Sequence, residues 1–398
     1  MKTMNNSYYE FFSPVKIIAG HKALEHMPFE LSLLDLSTPM IITDKGVQGA
    51  GLVEHVVTAS AESNITVSNV FDDVPQDSSE HCVRQAADTY RKQGCDSIIA
   101  IGGGSVIDTS KAVNILVSEG GDDLSQYAGA HALKRPLKPF FVIPTTSGTG
   151  SEATLVAVIS DDNGIKRSYA SGFLLPNAAI LDPRMTLTLP AHITAMTAMD
   201  AMTHAIESYT CLAANPVSDA YAFAAIKKIS GHLFNALKNP SDADSRLALA
   251  EGSTMAGIAF SNSMVGMVHS LGHALGGVCH LPHGLCMNLF LPYVLEYNRE
   301  VNGDKIGELL LPLAGEDIYT STPKEQRAER AIDYISTLRD TLYQDHKLPR
   351  TLKETGKVAE DQLERIATVA IDDGSIIFNP KEADYEDILG VLRRAWSG

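Results

Sequence analysis

The sequence predicts an α/β domain on a parallel, Rossmann-like sheet, followed by an all-α domain, over residues 1–188 and 189–398. Three observations carry this expectation. From about residue 38 to 190, short apolar runs alternate with helix-like stretches. Strands that read as near-continuous apolar runs between helices imply a parallel sheet covered on both faces. One of those runs feeds straight into three glycines and a helix. After TLTLP (186–190), strand-like text nearly vanishes, and 191–213, 216–237, 241–262 and 266–278 carry helical periodicity.

In chain order, PMIITD is a strand ending at Asp44, with helix-like text from Gly51. TVSNVF (66–71) precedes SSEHCVRQAADTYRKQG, a helix for which Ser79 is a plausible cap. DSIIAIGGGS runs into VIDTSKAVNILVSEG, PFFVIPT runs into a Gly/Ser/Thr cluster, and AAILDP closes the series. Segment 154–172, with Asp161-Asp162-Asn163-Gly164 between apolar runs, reads as an inserted hairpin.

Composition narrows the function classes. At 398 residues the chain can bury two cores. Its net charge of −16 and lack of clustered Lys and Arg argue against nucleic-acid binding. No apolar run long enough for a membrane span or a signal peptide is visible. Five cysteines form no disulfide-like framework and suit a reducing cytoplasm.

Two glycine- and hydroxyl-rich loops could hold a phosphate. Gly102-Gly103-Gly104-Ser105 places bare backbone N–H groups at a helix N-terminus, where they and the helix dipole favour a pyrophosphate. A tight strand–helix turn is the plainer alternative. PTTSGTGSE (144–152), containing Thr145, Thr146 and Thr149, also follows a strand and could wrap the same phosphates or the nicotinamide, with a plain flexible loop as the alternative. Asp44, at a strand end, is either a turn aspartate or an acceptor for a ribose 2′-hydroxyl.

The densest chemistry lies between Gly266 and Pro292, where His269, His273, His280 and His283 fall within 15 residues. His269 and His273 are spaced i,i+4, one helical face. Gly276-Gly277 is expected to end that helix, and Pro282 to open the next with His283 at its entrance. Upstream, Asp200 and His204 form another i,i+4 pair in AMDAMTHAIESYT. One carboxylate with several imidazoles is the ligand inventory of a divalent transition metal. Cys279 and Cys286 flank the histidines, yet their spacing fits no common zinc motif, and buried inert thiols are the simpler reading.

With these motifs in order, the chain resembles the iron-dependent (group III) alcohol dehydrogenases from FFSP near its start to NPKEADYEDIL near its end. GGGS-x-x-D-x-x-K, PTTSGTGSE, the Asp200–His204 helix and the His269–His283 stretch ending in PHG carry the likeness. The resemblance implies the dehydroquinate synthase-like architecture, a nucleotide-binding α/β domain beside a helical domain with a metal in the cleft. It implies NAD- and metal-dependent interconversion of a small, primary alcohol and its aldehyde or ketone by hydride transfer. Fe(II) is the metal it implies, with Zn(II) or another divalent ion chemically equivalent for these ligands.

By position, the resemblance makes Asp200, His204, His269 and His283 the metal ligands and sets His273 beside the nicotinamide, where it is the candidate catalytic group relaying the alcohol proton, with orienting the nicotinamide as the alternative. It matches Gly104, Ser105, Thr145, Thr146, Thr154 and Lys166 to cofactor contacts, Asp44 to NAD preference and Phe260 to an aromatic substrate-pocket position. Gly103 and Thr149 join the cofactor loops on the motif reading. Pro75-Gln76-Asp77 departs from the Pro-Asn-Pro common in the family, which removes the usual asparagine contact. A homodimer or larger homo-oligomer is also implied. On the same scaffold, a polyol or hydroxy-acid dehydrogenase, a hydroxyacid–oxoacid transhydrogenase and, from another class, a dehydroquinate-synthase-type lyase are the competing functions.

Overall fold

The computed structural model describes residues 8–61, 65 and 69–398. The chain divides into two compact units. One comprises 12–189 with 240–254, and the other 8–11, 190–239 and 255–398.

The first unit contains strands β1 (Lys16–Ala19), β2 (Pro39–Ile42), β3 (Asn69–Phe71), β4 (Ser97–Gly102), β5 (Gly129–Ala130), β6 (Phe140–Pro144), β7 (Val156–Ser160), β8 (Lys166–Ala170) and β9 (Ala178–Leu181). Its helices are α1 (Met27–Ser32), α2 (Lys45–Gly49), α3 (Leu52–Ser60), α4 (Glu80–Gln93) and α5 (Gly104–Glu119). Six strands form one sheet in the order β1-β9-β6-β4-β2-β3, paired in parallel.

The apolar runs explain its burial. Met40, Ile42, Ile98, Ala100, Phe140 and Val142 pack with residues of α4 and α5 on one face. The alternating Ile41, Ile99, Ile101, Phe141, Ile143 and Ile180 pack with α1 and α3 on the other. Period-two alternation of two apolar sets is what a sheet covered on both faces requires.

Helix entrances follow local side chains. Asp44 caps α2 by accepting from Val47 N at 2.9 Å, and Ser79 caps α4 by accepting from Cys82 N at 3.3 Å. The expected hairpin is present: β7 and β8 pair antiparallel and, with β5, form a separate three-stranded sheet. The helix α2 lies ahead of the expected start at Gly51. Strand β1 was not foreseen, since four residues with a leading lysine give too little alternation to read. Residues 66–68 of the strand expected at 66–71 lie outside the described residues.

No strand follows Leu181 among the described residues. The helices are α6 (Ala191–Thr210), α7 (Pro216–Lys238), α8 (Ala243–Ser261), α9 (Met267–Cys279), α10 (His283–Glu308), α11 (Leu310–Ala314), α12 (Glu316–Ser321), α13 (Arg327–His346), α14 (Leu363–Ile371) and α15 (Tyr385–Ser397). Residues 243–254 of α8 group with the first unit and the remainder with the second.

One expectation is corrected here. Gly276-Gly277 does not end α9, which continues to Cys279 and closes on His280 in the left-handed region at φ 53°. A helical glycine costs only about 1 kcal/mol against alanine, and the buried first two turns of α9 offset that readily. Pro282 precedes α10 as its N-cap, so His283 is at the helix entrance as expected.

Candidate metal and dinucleotide sites

Helix α6 has a polar stripe inside an otherwise apolar helix. Asp200, His204 and Glu207 stand at i, i+4 and i+7, hence on one face, and all three are buried. Helix α9 contributes His269 and the start of α10 contributes His283. Asp200, His204, His269 and His283 each offer one ligand atom within 4.8 Å of all the others. Nε2 of His283 lies 3.3 Å from Oδ1 of Asp200, and Nδ1 of His204 lies 3.7 Å from the same oxygen.

Three buried polar atoms in this cluster have no hydrogen-bond partner among the described residues: Oδ1 of Asp200, Nδ1 of His204 and Nε2 of His269. An orphaned buried polar atom costs about 1–3 kcal/mol, so three together mark a position built to receive something. The charge state agrees. Burial works to raise the Asp200 carboxyl, but the imidazoles of His204 and His283 outweigh it and hold the acid well below the usual carboxylate range. Burial pulls His204 down to about 3 against the attraction of Asp200. Burial, then His283 and His273, pull His269 well below its ordinary value. A carboxylate beside the neutral imidazoles of His204 and His269 is the protonation state metal ligation needs. The residues present fit a divalent transition ion.

The remaining cluster members support these four. The Phe260 ring stacks on His204 at 4.3 Å and 15°, so the expected pocket residue also fixes a ligand imidazole. His273 is half-exposed, stacks on His283 at 5.4 Å, and its Nδ1 lies 2.9 Å from Oδ2 of Asp373. Burial alone would raise Asp373, but the hydrogen bond and charge of His273 bring it to about 2. Gly284 lies where a Cβ would sit 2.5 Å from the Met196 carbonyl oxygen and 3.4 Å from Cβ of Asp200. Cys279 and Cys286 stay outside the ligand group, with Sγ atoms near Gln362 and the Leu281 carbonyl.

Sequence reasoning missed Glu207 and Asp373. Glu207 had a signal, its i+3 spacing from His204, and burial pushes it up to about 7 although backbone N–H groups of Gly266, Val268 and His269 donate to it. Asp373 had none, lying 100 residues from its partner.

In the first unit, neighbouring strands bring the second set together. Strand order reverses between β2 and β4, so Asp44, the glycine loop after β4 and the threonine loop after β6 share the carboxyl-end edge beside a topological switch point. Ligands of open α/β sheets bind at such an edge. The loops touch: a Cβ on Gly103 would meet Thr146 Oγ1 at 3.2 Å, and one on Gly104 would meet Thr149 Cγ2 at 2.8 Å. Glycine at 103 and 104 thus lets the threonine loop pack directly against the α5 entrance, where a Cβ would collide with it. Thr145 is buried, its N–H donating to the Gly102 carbonyl at 3.0 Å. Ser105 donates its hydroxyl to the Gln76 carbonyl, and Lys166 Nζ lies 3.6 Å from Asp77, so the departing Pro75-Gln76-Asp77 segment is anchored to both.

Thr154 behaves otherwise. It is buried, and its Oγ1 accepts from Lys111 Nζ at 3.0 Å, so the side chain expected on a cofactor is occupied inside the protein. Lys111 also donates to Ser151 Oγ and to the carbonyls of Thr154 and Val156 at 2.8–3.1 Å. Ser151 in turn donates to Asp108, which accepts the Val158 N–H. Burial lowers Lys111 to about 8 against the pull of Asp108 and Glu152. The GGGS-x-x-D-x-x-K motif is thus a loop plus a buried lysine, bridged to Asp108 through Ser151, that secures it to the hairpin.

A family model described as iron-containing alcohol dehydrogenase matches 14–183, and one for the C-terminal part of the same family matches 194–396. The chain belongs to the iron-containing alcohol dehydrogenase family. It is 33% identical to a protein named NAD-dependent methanol dehydrogenase from Bacillus methanolicus, over 97% of this chain and 99% of the relative. It is 34% identical to a 1,3-propanediol dehydrogenase from Klebsiella pneumoniae, over 99% and 100%. The crystal structure of a 1,3-propanediol oxidoreductase superposes with a TM-score of 0.92 at 33% identity, covering 98% of this chain and 100% of that one. The parallel sheet and helical second half are therefore those of iron-containing alcohol dehydrogenases.

Proposed function

We propose that this family member interconverts a small, primary alcohol and its aldehyde with NAD and a divalent metal, Fe(II) by family and Zn(II) as the chemical equivalent. The observation that carries the reading is the Asp200–His204–His269–His283 cluster, in which Asp200, His204 and His269 are buried and hold an orphaned carboxylate oxygen and two orphaned imidazole nitrogens suited to a cation. Those four side chains would hold the ion. When bound, it supplies Lewis acidity to an alcohol or carbonyl oxygen.

The protein's own groups account for the rest. Gly103, Gly104 and Ser105 at the α5 entrance, with Thr145, Thr146 and Thr149, would bind the dinucleotide phosphates. Lys166 would neutralise part of their charge, and Thr154 would act from behind the loop through Lys111. Asp44 would accept the ribose hydroxyls and repel a 2′-phosphate. His273, oriented by Asp373, would take the alcohol proton and pass it to solvent through its half-exposed ring. Bound NAD would supply the hydride acceptor or donor for the alcohol carbon. On this reading 1–188 serve the dinucleotide and 189–398 the metal and substrate, although 240–254 pack with the first unit.

Relatives named for methanol and 1,3-propanediol support a short, unbranched substrate. No helix of the described residues is long and apolar enough to cross a membrane. Five free cysteines support a reducing cytoplasmic setting, and the family resemblance supports a homodimer or larger homo-oligomer. The test is NAD reduction with ethanol, 1,3-propanediol and glycerol before chelation, after it, and after Fe(II) or Zn(II) restoration. Loss with metal-specific recovery is expected. Turnover indifferent to chelation would refute the metal assignment. Bound metal without NAD reduction on any alcohol would move the function to the transhydrogenase or lyase class.

A further inference from the structure

We infer that Glu207 is a positioning residue that fixes the His269 tautomer and locks the entrance of α9 to α6. The inference rests on the metal-site reading above. One buried carboxylate receives three contacts from the same short segment. Oε2 lies 2.5 Å from His269 Nδ1 and 3.3 Å from the His269 backbone N–H, and Oε1 accepts the Val268 N–H at 2.6 Å.

The arrangement answers two needs at once. Helix α9 begins after Gly266, which has no side chain with which to cap it. Its buried first-turn N–H groups at Val268 and His269, which have no acceptor within the helix, therefore take one from another helix. The space for that acceptor also depends on glycine, since a Cβ at Gly266 would lie 3.1 Å from Glu207 Oε1. The same carboxylate accepts from Nδ1 of His269, which leaves the lone pair on Nε2, the buried atom with no hydrogen-bond partner among the described residues. A carboxylate oxygen accepting from the far nitrogen both selects the ligating tautomer and makes the imidazole a better donor. Because Glu207 shares a helical face with Asp200 and His204, two ligands and the orientation of a third come from one side of α6. His273 stands one turn beyond His269, so the register set by Glu207 reaches it too.

Glu207→Gln separates this role from simple space filling. The amide oxygen can still cap Val268, but the amide nitrogen then faces Nδ1 and favours the tautomer with its proton on Nε2, which cannot ligate. The experiment measures the Zn(II) dissociation constant of metal-stripped protein by chelator competition, with the melting temperature of the stripped protein alongside. For Glu207→Gln the expected result is a 10- to 100-fold weaker Zn(II) constant with stripped-state melting near wild type. Glu207→Asp, which withdraws the charge by one methylene, is read in the same way should the glutamine variant not fold. Wild-type affinity in these variants overturns the inference, as does lowered melting with an unchanged Zn(II) constant. His269→Ala is the control: if wild type and this variant bind Zn(II) alike, the metal-site reading itself fails and takes the inference with it.

Discussion

Replacing His204 by phenylalanine tests whether the ligand cluster is a cost to the metal-free protein. The imidazole is buried, stacks on Phe260, and has its Nδ1 without a hydrogen-bond partner among the described residues. Burial holds it neutral down to about pH 3, so near pH 7 it lends no positive charge to Asp200. That carboxylate keeps His283 Nε2 at 3.3 Å in the variant. A phenyl ring preserves the stack and removes one desolvated nitrogen, a gain of about 1–3 kcal/mol, less about 1 kcal/mol for imperfect repacking. The metal-free His204→Phe protein should therefore melt no lower than metal-free wild type, and up to a few degrees higher at roughly 2–4 °C per kcal/mol. Added Zn(II) or Fe(II) reverses the order, since a site filled at 100 times its dissociation constant stabilises wild type by about 2.7 kcal/mol while the variant gains little. The assay is calorimetric melting of chelator-treated samples with and without metal at pH 7.5. A variant clearly less stable when metal-free, alongside a wild type that metal leaves unchanged, would refute the reasoning.

Three further outcomes follow from the geometry. Asp373→Asn should keep metal content and lower kcat roughly tenfold or more by releasing His273, measured by NAD reduction beside metal analysis. Because Asp373 is held at about 2 against an ordinary 3.8, its contribution to stability is full above about pH 4 and lost as pH falls toward 2, so the two proteins should differ in stability at pH 7 and converge in acid. Lys111→Met abandons the Thr154 and Val156 carbonyls and removes the charge facing Asp108, and should cost about 2–5 kcal/mol in urea titration, and a change below 1 kcal/mol would contradict the anchoring role of Lys111. Asp44→Ala should remove about 1 kcal/mol of capping stability and relax discrimination against NADP, so an unchanged NAD/NADP preference would confine Asp44 to its capping role.

How much could be read from the sequence depended on distance along the chain. Asp200 with His204, and His269 with His273, were legible because helical spacing converts directly into a shared face. Three glycines between an apolar run and a helix likewise showed the loop of 102–105. Glu207 obeyed the same spacing, yet a glutamate on a helix ordinarily faces water, and only the burial of α6 makes it internal. Asp373 meets His273 through tertiary packing that no local pattern encodes. The helix end at His280 was misread because Gly276-Gly277 carries the stronger local stop signal, while burial of the preceding turns carries α9 past it. Thr154 was matched to the cofactor by the resemblance, and no local pattern showed that its buried hydroxyl accepts from the Lys111 ammonium.

Gly284 bears on how such a site can change over time. The backbone of the α10 entrance meets the Met196 carbonyl of α6 so closely that one added carbon would lie 2.5 Å from that oxygen, and a main-chain oxygen inside a long helix cannot step aside. The spacing between the elements bearing Asp200 and His283 is thus gauged by the bare thickness of two backbones, independent of the ligand side chains and of whatever ion they surround. Ligand identities can drift, and with them metal preference, while the frame stays constant. An alanine at 284 would instead spread the frame and leave every ligand chemically intact.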